Sequence, residues 1–251
     1  VGEPLGRHMD VDMVSFTGST ETGRRFLQYA ADSNLKKVVL ECGGKNPALV
    51  FDDAENLDHV AEHVVNGAFW NAGQNCSATS RLIVHSAVKA ALLDKINARI
   101  REWKVGNPLD PANHIGALID KDHCSKVRSY LDDKGDGPFI SPTVFEVEAD
   151  DQRARDEIFG PVLCVITVDS NNEAVQVAND TDYGLTASLF SAGSRSAIRA
   201  ARDIRAGTIT VNCYGEGNIA TPFGGYKQSG FGGRDNGLHA HDQYTEIKTI
   251  W

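Results

Sequence analysis

The chain has 251 residues, 41% of them hydrophobic and 24% charged, the balance of an ordinary globular protein with length for one large α/β domain or two modest ones. Its formal charge of −9 argues against nucleic acid or an anionic membrane as the main partner, because both need clustered Lys and Arg. No apolar run approaches membrane-spanning length, and the opening VGEPLGRHMDVD lacks the basic and apolar regions of a signal peptide, so a cytoplasmic location is the expectation.

In chain order, DMVSF (12–16) reads as a short apolar strand that runs into the turn-rich TGSTETG, after which RRFLQYAADS has helical spacing. KKVVLE and PALVF read as strands separated by the Gly-Gly of CGGKNP, and LDHVAEHVVNGAFW as a helix entered from Asp53. Strand RLIVH, helix SAVKAALLDKINARIREW, helix KDHCSKVRSYL, and strands TVFEV and VLCVITV follow. Helix NNEAVQVAN, strand ASLFS, helix SRSAIRAARDIR and strand GTITVNC complete the alternation. Such alternation predicts an α/β fold with an open, mostly parallel sheet and helices on both faces. Beyond it, YGEGNIATPFGGYKQSGFGGRDNG reads as a glycine-rich loop, of a length that in compact domains usually serves function, and YTEIKTIW as a final strand.

Five cysteines, at 42, 76, 124, 164 and 213, make an odd count without a C-x-x-C pair or metal-ligand spacing, so neither a disulfide framework nor a metal site is expected. Each is core filler or nucleophile. Cys76 follows NAG and precedes SATS, small polar residues that leave room beside the sulfur; a nucleophile here needs something to lower its thiol pKa. GSTETG between strand and helix is either an anion-binding helix N-terminus or simply a turn with Ser19 or Thr20 as helix cap. Glu41 ends an apolar strand, where it is either a solvated strand end or a partly desolvated base. In DEIFGP, Glu157 and Phe159 are suited to a ribose and a flat ring, or to a helix end with a hydrophobic anchor.

FTGSTETG, LECGGKNP, GQNCSATSR, EIFGPV and PFGGYKQSG, in this order, resemble the catalytic, C-terminal half of the NAD(P)-dependent aldehyde dehydrogenase superfamily. KTIW and GYKQSGFGGRD look most like its branch acting on γ-glutamyl-aminobutyraldehyde, betaine aldehyde and related aminoaldehydes. The resemblance implies Cys76 as nucleophile and Glu41 as general base in oxidation of an aldehyde to a carboxylic acid, through a thiohemiacetal and a thioester. It implies NAD or NADP as cofactor, NAD favoured, held by Gly18, Ser19, Thr20, Gly23 and Gly43, with Glu157 on the ribose and Phe159 by the nicotinamide. Trp70, Asn75, Ser77, Tyr214 and Phe223 become the substrate tunnel, with Cys213 packing near its wall. The implied organisation is a residual dinucleotide-binding strip (1–44), a catalytic domain (45–230) and a tail (231–251) whose strand joins a homodimer or homotetramer.

Two departures from the family stand out. The first half of its pattern has no counterpart, and the segment between VRSYLDD and SPTVF is short, which together read as a fragment or an incompletely represented chain. The alternative is a truncated, non-catalytic member that keeps the fold and oligomer contacts. A cysteine hydrolase pairing Cys76 with one of eight histidines is a third reading, and it requires a His beside Cys76 where the others require Glu41.

Overall fold

A computed structural model describes every residue of the chain except Lys134, which falls within the short 132–141 segment. Helix α1 (Gly2–Arg7) leads into strand β1 (Met13–Thr17), helix α2 (Thr20–Ala31) and strand β2 (Lys37–Glu41). β1 and β2 pair in parallel, Thr17 opposite Glu41, and α2 covers them through Phe26 and Ala30, making a small core with Val14, Val38, Leu40 and Cys42. After residues 42–45 the chain enters a second sheet at β3 (Asn46–Val50). Helix α3 (Leu57–Phe69), a 3-10 turn (Trp70–Gly73), β4 (Thr79–His85), α4 (Ser86–Glu102) and α5 (Lys121–Arg128) follow. Then come β5 (Thr143–Glu146), α6 (Gln152–Arg155), β6 (Val162–Val168), α7 (Asn171–Asn179), β7 (Tyr183–Gly184), β8 (Thr186–Phe190), α8 (Ser194–Asp203) and β9 (Thr208–Val211).

The second sheet has six strands in the order β5-β6-β4-β3-β8-β9, every neighbouring pair parallel. Its central strands β3 and β8 are buried at every residue, as expected where helices cover both faces of a sheet and hydrophobic runs replace alternation. The α/β architecture anticipated from the element order is therefore present.

Besides the short elements α1, α6 and β7, which the sequence reading did not assign, the structure departs from it in four places. Helix α2 begins at Thr20, so TGSTETG contracts to a turn at Gly18–Ser19, with Ser19 Oγ accepting from Thr22 N as the cap. Gly23 is then a helical residue, small because a Cβ would sit 2.9 Å from Cys42 Sγ on the strand side. α3 is capped by Asn56, which accepts from His59 N, while Asp53 instead accepts from Ser191 Oγ and Gly193 N.

The glycine-rich stretch holds β10 (Tyr226–Lys227), antiparallel to β7, and β11 (Gly230–Phe231), antiparallel to β2. Between them the buried Ser229 ties the end of β2 to the two-stranded β10-β7 pair, its carbonyl accepting from Cys42 N (2.7 Å) and its hydroxyl from Gly184 N (2.9 Å). Finally, YTEIKTIW forms no strand: a 3-10 segment (Leu238–Tyr244) leads into residues 245–251, which have no ladder partner among the described residues and leave Ile247, Ile250 and Trp251 exposed. Alternation makes a segment fit to pair, but a strand exists only once a neighbour supplies hydrogen bonds.

Candidate active site

The residues before Cys76 are bent sharply. Asn71, Ala72 and Gly73 all take left-handed backbone angles (φ 52°, 57° and 71°), and at Gly73 a Cβ would lie 2.2 Å from the Gly160 carbonyl oxygen. This reversal delivers residues 74–78 to the amino end of the large sheet, just ahead of β4 and level with the start of β3, where they meet the carboxyl end of β2 from the small sheet. Asn46, buried at the start of β3, holds them there: its Nδ2 donates to the Cys76 carbonyl (2.7 Å) and the Ala78 carbonyl (3.0 Å), while its Oδ1 accepts from Thr186 N. Gly44 is small for the same reason, since a Cβ would stand 2.7 Å from the Cys76 carbonyl oxygen.

Glu41 arrives from the other sheet, at the end of β2, and is 8% exposed. A cavity of about 420 Å³ is lined by Glu41 and Cys76 together, along with Gly18, Ser19, Gly43, Asn75, Glu157 and Phe159. Burial pushes the Glu41 carboxyl up to about 7, Asp235 adds to the rise, and Arg234 opposes it. Its Oε2 is buried without a hydrogen-bond partner among the described residues. Gly224 makes the close approach possible: its φ is 155°, and a Cβ there would come 2.9 Å from Glu41 Oε1.

The groups that raise the Cys76 thiol outweigh the one that lowers it. Burial pushes it up to about 11, and Glu216, Glu41 and Glu157 raise it in that order, against the Ser77 backbone N–H. Glu157 is fixed by Gly44 N, which donates to Oε1 at 2.9 Å, and its carboxylate fills the space over Gly43, where a Cβ would meet Oε2 at 2.1 Å. Burial raises the Glu157 carboxyl, while the Gly44 N–H, Lys126 and Lys45 hold it down. Phe159 sits at a left-handed φ of 60°, and its carbonyl is 2.7 Å from His123 Nε2.

Other expected site residues separate into groups. Thr20 lines an adjoining cleft of about 680 Å³ with Ser19, Lys126 and Glu157, whereas Gly23 lines neither space. Asn75, Ser77 and Tyr214 converge beside the sulfur, the Tyr214 hydroxyl lying 3.3 Å from both Asn75 Nδ2 and Ser77 Oγ. Trp70 and Phe223 do not line the cavity: Trp70 is 60% exposed on the 3-10 turn, and the Phe223 backbone pairs with Asp235. Cys213 is half-buried.

Asn46, Lys126, His123, Asp235 and Glu216 escaped the sequence reading. Only the last two carried a signal, lying within or beside the glycine-rich stretch already marked as functional. His123 shares the cavity, yet its Nε2 is engaged with Phe159 and no histidine hydrogen-bonds Cys76 among the described residues, which removes the basis of the hydrolase reading. No three His, Cys, Asp or Glu side chains converge as a metal requires among the described residues.

Residues 1–250 match the sequence signature of the aldehyde dehydrogenase family. The chain belongs to this family. It is 60% identical over 264 aligned positions to aminoacetaldehyde dehydrogenase of Pseudomonas aeruginosa, covering all of this chain and 53% of that protein. Among solved structures, γ-glutamyl-γ-aminobutyraldehyde dehydrogenase of Burkholderia cenocepacia superposes with a TM-score of 0.94 at 45% identity, covering 98% of this chain and 53% of that one. An indole-3-acetaldehyde dehydrogenase in complex with NAD+ gives 0.95 at 43% identity, over 100% and 54% of the two chains. The chain thus spans about half the length of the curated relatives it matches. No helix among the described residues is long and apolar enough to cross a membrane.

Proposed function

We propose that this chain carries the catalytic centre of an NAD(P)-dependent oxidation of an aldehyde, in the first place an aminoaldehyde, to its carboxylic acid, with NAD as the favoured cofactor. The observation that carries the reading is the shared cavity: Cys76 and Glu41 line one space, and Glu41 keeps a buried carboxylate oxygen free for a solvent or substrate proton.

The residues present fit a dinucleotide. Ser19 caps the 12-residue helix α2, whose N-terminus suits a phosphate, and Glu157 is preset by the Gly44 N–H above a glycine that leaves it room. Phe159 faces the same cavity. Gly18 and Ser19 would take the pyrophosphate, Glu157 the ribose, and the bound nicotinamide supplies the acceptor for a hydride.

The chain's own part is as follows. The Cys76 sulfur adds to the aldehyde carbon, forming a C–S bond while the thiol proton passes to water and the carbonyl oxygen takes the electron pair of the broken C=O π bond. Loss of hydride from that carbon leaves a thioester on Cys76. Glu41 then removes a proton from water, hydroxide adds to the thioester, and the C–S bond breaks to release the acid and restore the sulfur. A carboxyl near 7 is suited to this, being partly ionised at neutral pH and basic enough to hold the proton. The apolar tail, with Ile247, Ile250 and Trp251 exposed, supports pairing with a second copy in a homodimer or homotetramer.

A burst of NADH with an aminoaldehyde, abolished in Cys76→Ala and with turnover much slowed in Glu41→Ala, is the expected result. A second reading, a non-catalytic member of the family, draws support from the high thiol pKa. Absence of both NADH formation and NAD retention would favour it.

A further inference from the structure

Asn75 stands between the nucleophile and a carboxylate that the mechanism above does not use. The Cys76 thiol donates to Asn75 Oδ1 at 3.8 Å, and Asn75 Nδ2 donates to Ser77 Oγ at 2.9 Å and to Glu216 Oε1 at 3.4 Å. Ser77, 1% exposed, also donates its hydroxyl to Glu216 Oε1. One oxygen of Glu216 is therefore anchored one side chain away from the sulfur. The other, Oε2, makes no hydrogen bond among the described residues, and the residue as a whole is exposed.

No cation answers this charge. Among the described residues Glu216 has no salt bridge. Of the cations near the cavity carboxylates, Lys126 Nζ donates to the Glu157 carbonyl, and Arg234, which faces Glu41, donates Nη1 to the Gly233 carbonyl. Glu41 and Glu157 line the cavity itself, and the buried Oε2 of Glu41 is unpartnered. Carboxylates thus flank the sulfur, and on the side of Asn75 and Ser77 the carboxylate is that of Glu216, with one oxygen anchored and one left to receive.

We propose that Glu216 is a specificity-determining residue, whose carboxylate pairs with the ammonium group of an aldehyde that carries a cationic amine a few carbons from the carbonyl presented to Cys76. A neutral alkyl chain gains nothing from this carboxylate, and an anionic one is repelled. The pairing also bears on the nucleophile, because Glu216 is the largest charge raising the Cys76 thiol and a bound ammonium offsets it. The aldehyde part of the proposal rests on the oxidation reading; charge selection at the sulfur does not.

The test therefore begins with the thiol alone. Cys76 is modified with cationic aminoethyl methanethiosulfonate and with neutral methyl methanethiosulfonate, the adduct at Cys76 is followed by peptide mass spectrometry, and the ratio of the two rates is compared with that of N-acetylcysteinamide. The ratio in the protein is expected to exceed the reference, to fall by about threefold or more in Glu216→Gln, and to persist in Glu216→Asp, which keeps the charge. A ratio equal to the reference, or one unchanged in Glu216→Gln, overturns the proposal. The second arm compares 3-aminopropanal with its isostere butanal: kcat/KM should favour the amine, and Glu216→Gln should remove that preference. Oxidation of both aldehydes at ratios indifferent to Glu216 refutes the specificity role. If neither aldehyde is oxidised, the oxidation reading fails, and the thiol ratio still decides whether Glu216 selects cations at Cys76.

Discussion

The nucleophile and the base stand on sheets of unequal size. Cys76 hangs from a six-stranded sheet with two covered faces and a core running from Ala48 to Ala206, clamped by a buried amide at Asn46. Glu41 ends a three-stranded sheet whose buried core is six residues, and its place depends on β11 and Ser229, almost two hundred residues downstream. Packing positions the sulfur; a returning loop positions and tunes the carboxylate. The contrast implies that damage to the first region costs stability, whereas damage to the second changes protonation and rate.

The largest effect is expected at Asn46. Asn46→Ala leaves the Cys76 and Ala78 carbonyls and the Thr186 N–H without their side-chain partner in a buried site, and denaturant unfolding should show a loss of about 2–4 kcal/mol. An equal loss from Gly230→Ala, which lies on the small sheet with a Cβ 2.2 Å from the Leu40 carbonyl oxygen, would break the contrast. That substitution should cost about 1–2 kcal/mol and expose Glu41 to solvent, lowering its pKa.

The next effect is on pH. Glu41 is ionised above about 7, so thioester hydrolysis should rise as pH increases through 7, and Asp235→Asn, removing a charge that raises it, should move this limb to lower pH. The same shift has a stability consequence of defined sign. The folded carboxyl holds its proton above the ordinary value of 4.5, so between 4.5 and about 7 the native state binds more protons than the unfolded one. Glu41 thus contributes stability at low pH that is lost as pH rises through about 7, and Glu41→Gln should flatten that part of a melting-temperature profile. Smallest of all, deleting residues 245–251 should change monomer stability by less than about 0.5 kcal/mol, because Ile247, Ile250 and Trp251 are exposed. Sedimentation should show any loss of oligomer.

Much of the site's raw material was visible in the residues. NAGQNCSATS marks a break before a strand, and the Cys76 loop does lie there; Glu41 does close an apolar strand. Ser19 behaves as the cap that local side-chain chemistry favours. What escaped depends on contacts between distant parts of the chain. Gly23 looked like a turn glycine, but Cys42 decides why it is small; Asn46 lay unremarked in the CGGKNP link between two strands, yet three hydrogen bonds run through it. The tail is a different case, since residues 245–251 have no ladder partner within the described chain and the strand read there was one that joins a second copy.

By itself the sequence determined the order of elements and the parallel architecture, because hydrophobic periodicity and caps act over a few neighbouring residues. It also determined the family, through five motifs that are modest singly and specific in series. Only the tertiary structure decided that Cys76 and Glu41 share a cavity, that the thiol is pushed up rather than down, and that Glu216 stands beside it. Desolvation and Coulomb interaction depend on distance in space, and residues 41, 76, 216 and 235 meet only after the chain has folded back on itself.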